Sequence, residues 1–276
     1  MSEPASHQFD GSPRLHYLEW NPRGRDTVIL LHGNAANAWW WSPMAEAASP
    51  TLRLVALDQR GHGDSEWVRP AAYGPTAYAA DLARFVERIT ADTGQRPVVV
   101  GHSMGGISTL AFASAHPAGA RAVAAIDIAI RSSRGRDRYL RRLRALPTVF
   151  YPDFETAKAR YRLMPDEGEI PAATLGQIAA KSLARTEDGR FTLKFDRESF
   201  FGSDGLEVLA AIREIAVPLL LVRAERSRIM TAEAAELALQ SNPLATLVTI
   251  ADAHHHVLLE RPVELAQTIE QFVASL

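Results

Sequence analysis

The stretch Val98-Val99-Val100-Gly101-His102-Ser103-Met104-Gly105-Gly106 limits what this chain can fold into more than any other. Three β-branched apolar residues run straight into Gly-x-Ser-x-Gly. A small-residue helical pattern follows at once, with Ile107, Leu110, Ala111, Ala113 and Ser114. The pattern reads as strand, sharp turn and helix, with a serine at the apex. Such a turn strains the serine backbone and lifts its hydroxyl clear of the sheet, where a base and a substrate can reach it. Glycine is needed at 101 and 105 because strand and helix pass too close there for side chains.

The rest of the chain repeats this alternation. Short apolar runs at 15–19, 27–31, 52–57, 98–100, 123–128, 219–222 and 245–250 predict strands. Most are near-continuous Val, Ile, Leu and Ala, as expected where both sheet faces are buried. Helical patterns fall at 76–90, 104–115, 231–240 and 262–274, the last two opening with the cap-type Thr231 and the first-turn Pro262. Strands alternating with helices predict an α/β fold, a mostly parallel sheet flanked by helices. The rhythm breaks once. Roughly 90 residues separate the strand ending near Ile128 from the one starting at Leu219, and no strong strand lies between them. Helical patterns at 139–146, 154–163, 172–184 and 206–212 fill the gap. This predicts a helical cap inserted over 131–215 into a core made of 1–130 and 216–276.

A serine hydroxyl is a poor nucleophile until a base takes its proton. The base should be a histidine held by a carboxylate, facing an oxyanion hole. The strand at 27–31 ends in His32-Gly33-Asn34. In a fold of this kind the loop after that strand gives one backbone N–H to the oxyanion hole, here that of Asn34. Met104, directly after the nucleophile, gives the other. His32 is expected to brace its loop. Asp58, Arg60 and Asp64, in the glycine-punctuated turn after the next strand, are expected to make local hydrogen bonds and ion pairs. The base lies in Ala253-His254-His255-His256, between the last strand and the helix opened by Pro262. Adjacent side chains diverge, and no Cys or paired carboxylate stands at ligand spacing, so no metal is expected. Sequence order alone does not choose among the three histidines.

Together these motifs resemble the α/β-hydrolase superfamily, specifically its capped serine esterases. The resemblance rests on His32-Gly33, Asp58-x-Arg60-Gly61-x-Gly63-x-Ser65, Gly101-His102-Ser103-Met104-Gly105-Gly106 and the segment from Ala253 to Pro262, and it covers nearly the whole chain. It implies that the catalytic histidine stands seven residues before the proline of the last helix, which is His255. The usual acid position, after the strand at 219–222, is occupied here by Ser227. The resemblance to a minority of family esterases places the acid instead at the end of the strand at 123–128, on Asp127, with Glu225 and Asp252 as lesser alternatives. An aspartate at an apolar strand end is costly unless compensated, and a protonated histidine would compensate it.

The implied activity is hydrolysis of carboxylic esters through an acyl-enzyme, without a cofactor. The alternatives are a carbon–carbon bond hydrolase of ring-cleavage products, favoured by a specific arginine in the pocket, a lactonase or thioesterase, and least of all a non-catalytic binding protein. Trp40 and Trp41 are expected to line the substrate pocket. Arg131, Arg134, Arg136, Arg138, Arg141, Arg142 and Arg144 form a basic cluster. It reads as a solvated helix face, or as a lure for a carboxylate-bearing substrate. A net charge of −2 steers the chain toward neither nucleic acid nor an anionic membrane. The absence of cysteine excludes disulfide and thiolate chemistry. The N-terminus lacks the basic and apolar regions of a secretory signal, so a cytoplasmic monomer or homodimer is expected.

Overall fold

The structure, a computed structural model, describes residues 3–131, 133–201 and 207–276. An eight-stranded sheet forms its frame. The strands are β1 Ala5–Phe9, β2 Leu15–Trp20, β3 Asp26–Leu31, β4 Leu52–Leu57, β5 Val98–His102, β6 Ala122–Ile126 and, after an intervening hairpin of β7 Leu183–Arg185 with β8 Phe191–Leu193, β9 Leu219–Ala224 and β10 Ala245–Ile250. Their order is β1-β2-β4-β3-β5-β6-β9-β10. β1 and β2 pair antiparallel, β2 pairs antiparallel with β4, and β4, β3, β5, β6, β9 and β10 are parallel to one another.

Strand residues alternate between two cores. Val28, Leu30, Leu54, Ala56, Val98 and Val100 face one side, where Trp41, Met44, Leu265 and Ile269 cover them. Ile29, Leu31, Val55, Leu57 and Val99 face the other, under Leu82, Phe85, Leu110 and Phe112. Burial on both faces is why these strands read as unbroken apolar runs. The covering helices are α1 Ser42–Ala47, α2 Pro75–Thr93 and α3 Met104–Ala115. Between β6 and β9 follow α4 Arg134–Ala145, α5 Phe154–Ala159, α6 Ala172–Lys181 and α7 Val208–Glu214, and after β9 come α8 Ala232–Gln240, α9 Val257–Glu260 and α10 Pro262–Ala274.

Several boundaries differ from the sequence reading. Strand β1 had no apolar run to announce it, because it is an edge strand whose side chains are mostly exposed. Strand β6 stops at Ile126, since Asp127 takes a positive φ of 44° that breaks the ladder. The helix expected over 172–184 ends at Lys181 and turns into the β7–β8 hairpin. The helix expected over 154–163 ends at Ala159. Its remaining apolar positions, Tyr161 and Leu163, are buried by packing from a loop onto the core that holds Trp40. The pattern at 206–212 begins at Val208, and Leu206 lies outside the described residues. Among the described residues no helix is long and apolar enough to cross a membrane.

Hydrogen bonds join the segment between β6 and β9 to the loop after β4. Gly63 N–H donates to the Lys194 carbonyl at 2.8 Å, and Asp196 N–H to that of Gly61 at 2.7 Å. The Asp196 carboxylate, nearly buried, accepts the Tyr73 hydroxyl at 2.6 Å and pairs with Arg69.

Candidate active site

Three loops at the carboxyl ends of β5, β6 and β10 build the site, the edge where parallel sheets place their ligands. Ser103 directly follows β5 with φ 54° and ψ −119°, a conformation that residues with side chains rarely adopt. Its amide donates to the Ile126 carbonyl at 2.9 Å, which fixes the elbow to the neighbouring strand. A Cβ on Gly101 would strike the Gly105 carbonyl, and one on Gly105 the Leu31 carbonyl. Strand and helix can cross here only without side chains.

The three consecutive histidines go separate ways. His254 Nδ1 and N–H both meet the Glu260 carboxylate, at 3.0 and 3.1 Å. His256 donates from Nε2 to the Pro165 carbonyl at 2.8 Å. His255 turns to Ser103, with Nε2 3.0 Å from the hydroxyl, and its Nδ1 lies 2.7 Å from Oδ2 of Asp127. This pairing requires the proton on Nδ1, leaving Nε2 free to accept. The His255 carbonyl accepts His102 Nε2–H at 2.8 Å, and its amide donates to Glu167 at 3.2 Å. The ring is therefore held through its own backbone.

Asp127 is completely buried. Its Oδ1 accepts the Ala224 amide at 3.2 Å, and its Oδ2 accepts the Ser227 hydroxyl at 2.5 Å beside the imidazole. Burial pushes its carboxyl up, to about 6, against the pull of these two donors. Burial alone pushes His255 down, to about 4, so the imidazole is neutral at rest. The alternative acids point elsewhere. Glu225 accepts the Asp252 amide, and Asp252 pairs with Arg226 at the surface.

The other motif residues brace the loops. His32, buried and held below its usual pKa by burial, donates from Nδ1 to the Gly33 carbonyl at 2.7 Å and accepts the Gln59 amide at 3.0 Å. Asp58 accepts the Ala38 and Asp64 amides and pairs with His16 at 2.7 Å. Ligand atoms of His16, Asp58 and Asp64 lie within 4.8 Å of one another. The His16–Asp58 contact and the Asp64–Lys194 ion pair at 2.6 Å already engage these side chains. Arg60 grips Asp81 through two nitrogens, at 2.5 and 2.7 Å.

A cavity of about 190 Å³ opens over Ser103 and His255. Asn34 and Met104 stand at its wall, and Met104 N–H heads α3, where no intrahelical acceptor exists. The apolar wall comes from Ile107, Leu143, Met164, Phe200 and Phe201. Trp40 and Trp41 do not line it, which corrects the expectation from sequence. Both rings lie in the core, where Trp40 packs edge-on against His256 at 5.4 Å and Trp41 is fully buried. The Ala38–Trp41 turn rolls them inward, since burying their large area outweighs presenting them to a small cavity. Of the seven clustered arginines, six are exposed and Arg136 stands at the pocket wall. Sequence reading missed Arg136 as an individual, although its place one turn before Leu140 was visible.

Comparison with known proteins gives the family. Residues 28–268 match the alpha/beta hydrolase family, and the chain belongs to it. It is a hydrolase of that fold. The chain is 26% identical over 250 residues to a 2-(acetamidomethylene)succinate hydrolase of Mesorhizobium japonicum, covering 89% of this chain and 87% of that protein. It is 29% identical over 256 residues to a pimeloyl-[acyl-carrier protein] methyl ester esterase of Xanthomonas campestris, covering 90% and 95%. The crystal structure of an E-2-(acetamidomethylene)succinate hydrolase superposes with a TM-score of 0.84 at 24% identity, covering 98% of this chain and 99% of the other.

Proposed function

We propose that this hydrolase cleaves carboxylic esters with Ser103 as nucleophile, His255 as general base and Asp127 as the residue that orients and steadies the imidazole. The observation that carries this reading is the unbroken relay from the Ser103 hydroxyl through His255 to Asp127, at 3.0 and 2.7 Å. The neutral Nε2 accepts the serine proton as the oxygen attacks the ester carbonyl. The developing oxyanion sits between the backbone N–H groups of Met104 and Asn34. The imidazolium then protonates the alcohol, and water repeats the sequence to free the acid. Segment 131–215 acts as a cap, because α4 and the loop at Met164 and Pro165 close the pocket opposite the sheet. The esterase among the relatives supports an ester as substrate.

The test combines a fluorophosphonate probe with a p-nitrophenyl ester series. Labelling must map to Ser103 and disappear in Ser103→Ala. That variant should lose about 10⁶ in kcat. Labelling elsewhere, or ester turnover surviving in Ser103→Ala, removes the nucleophile assignment. Arg136 at the wall favours a second reading, the carbon–carbon hydrolase. Turnover of a vinylogous diketo acid far above that of any ester would select it.

A further inference from the structure

We propose that Arg136 forms an anion subsite in the substrate pocket, and that the natural substrate carries a carboxylate which the guanidinium holds while the scissile carbonyl rests at Ser103. The proposal rests on the ester-hydrolase reading for what is cleaved, but not for what is bound.

Arg136 differs from every other arginine of α4. The rest of the cluster is exposed, and Arg144 is engaged by Glu198. Arg136 is partly buried, and its Nε–H is shielded from solvent with no hydrogen-bond partner among the described residues. Its amide caps onto the Ser133 hydroxyl at 3.1 Å, which sets it in the first turn of α4. The side chain thus starts from a defined point and meets a cavity whose walls are largely apolar.

A charged group in such surroundings loses hydration without compensation unless something pairs with it. Burial accordingly pushes the Arg136 guanidinium below its usual pKa, and the nearby charge of Asp137 opposes the shift. It still remains protonated at any physiological pH. Among the described lining residues Arg136 is the one bearing a charge at neutral pH, since His255 is neutral at rest. The pocket therefore presents one cation, one nucleophile and an otherwise largely apolar lining.

A carboxylate fits this arrangement better than other ligands. The edge of a guanidinium offers parallel N–H donors whose spacing matches two carboxylate oxygens. A cavity of about 190 Å³ must also hold the reacting carbonyl and its linker. A carboxylate at the end of a short apolar chain uses both features. A neutral acyl group would leave the shielded Nε–H without a partner.

The experiment compares monomethyl esters of dicarboxylic acids, from succinate to pimelate, with the methyl esters of chain-matched fatty acids, by titrating released acid. Wild type should prefer the carboxylate-bearing ester by 10-fold to 100-fold in kcat/KM at the best chain length. Arg136→Met should pull that ratio toward one, mainly through KM, and Arg136→Lys should keep part of it. Thermal melting of each variant checks folding. In parallel, calorimetry measures glutarate binding to Ser103→Ala with and without Arg136→Met, a readout that needs no chemistry. Arg136-dependent glutarate binding in a protein that turns over no ester would sustain the anion subsite while sinking the esterase reading. Turnover of neutral esters with no carboxylate preference and no Arg136-dependent binding would overturn the subsite and leave the esterase standing.

Discussion

The two walls of the pocket are built on different principles. On the sheet side, Ser103, Asp127 and His255 ride on loops whose backbone amides are each hydrogen-bonded to a neighbouring segment. Opposite them, α4 has no buried residue at all. Among the described residues, two ties to the segment after β8 hold its far end: the Arg144–Glu198 ion pair and a hydrogen bond from Arg197 to the Leu143 carbonyl at 3.1 Å. The difference separates two tasks. Chemistry needs atoms held within tenths of an ångström, which loops tied to a mostly parallel sheet supply. Substrate choice tolerates a lightly attached wall, and such a wall lies at the low end of the local stability scale, where opening is easy.

The sharpest way to break this contrast is at the acid. Asp127→Asn keeps the shape of the relay but removes the charge, and should lower kcat by about 10⁴ with little change in melting temperature. The exchange Asp127→Ser with Ser227→Asp should then recover at least tenfold over Asp127→Asn. Ser227 Oγ already lies 2.5 Å from the carboxylate oxygen that meets His255, so a carboxylate grown from position 227 reaches the same ring. No loss in Asp127→Asn, or a large loss in Glu225→Gln, would move the acid elsewhere.

This pair also shows what a linear sequence reveals. The elbow was legible because glycines at 101 and 105 are dictated locally by the crossing of strand and helix. His255 was legible from its spacing to Pro262, while the divergence of three adjacent rings depends on partners far away in the chain. Asp127 stood out as a charge ending an apolar strand. Its hydroxyl partner Ser227 was invisible as a partner, because contacts across 100 residues leave no local pattern. The tryptophans misled for a related reason, since three aromatic residues in a row announce large buried area without saying where it is buried. Arg136 was hidden in a run of like residues, and only the orientation of α4 singles it out.

Acid should destabilise the sheet side through its buried histidines. His255 and His256 are held near 4 and His62 near 3, and burial holds His32 and His102 down as well. A histidine with a lowered folded pKa stabilises the native state above its unfolded value of about 6.5, and that contribution is lost as pH falls toward the folded value. Each ring held near 3 or 4 costs about 2 kcal/mol between pH 7 and 5. Asp127 works in the opposite direction, because its raised pKa lets the folded chain bind a proton first as pH falls through about 6. One carboxyl does not offset several imidazoles. The urea midpoint should therefore drop markedly from pH 7 to 5, and a flat profile would contradict the buried neutral histidines.

Activity should report the acid in a narrower window. The relay needs Asp127 ionised and His255 neutral, so kcat/KM should fall below about pH 6 as Asp127 takes up its proton. Ser227→Ala removes a donor that favours the carboxylate, so this limb should move to higher pH, by about one unit. A limb that stays in place would mean that Ser227 only fills space.

The smallest expected effect tests the other wall. Arg144→Ala cuts the exposed ion pair to Glu198, and exposed pairs contribute about 0–1 kcal/mol, so the melting temperature should barely change. The pocket should notice more. Leu143, Leu140 and Arg136 line it from the same helix, and loosening the end at Arg144 widens their range of positions. KM for the best substrate should rise severalfold while kcat stays within about twofold, because the relay on the sheet does not move. A fall in kcat equal to the rise in KM would instead mean that α4 takes part in aligning the reacting atoms, and the division of labour between the two walls would be lost.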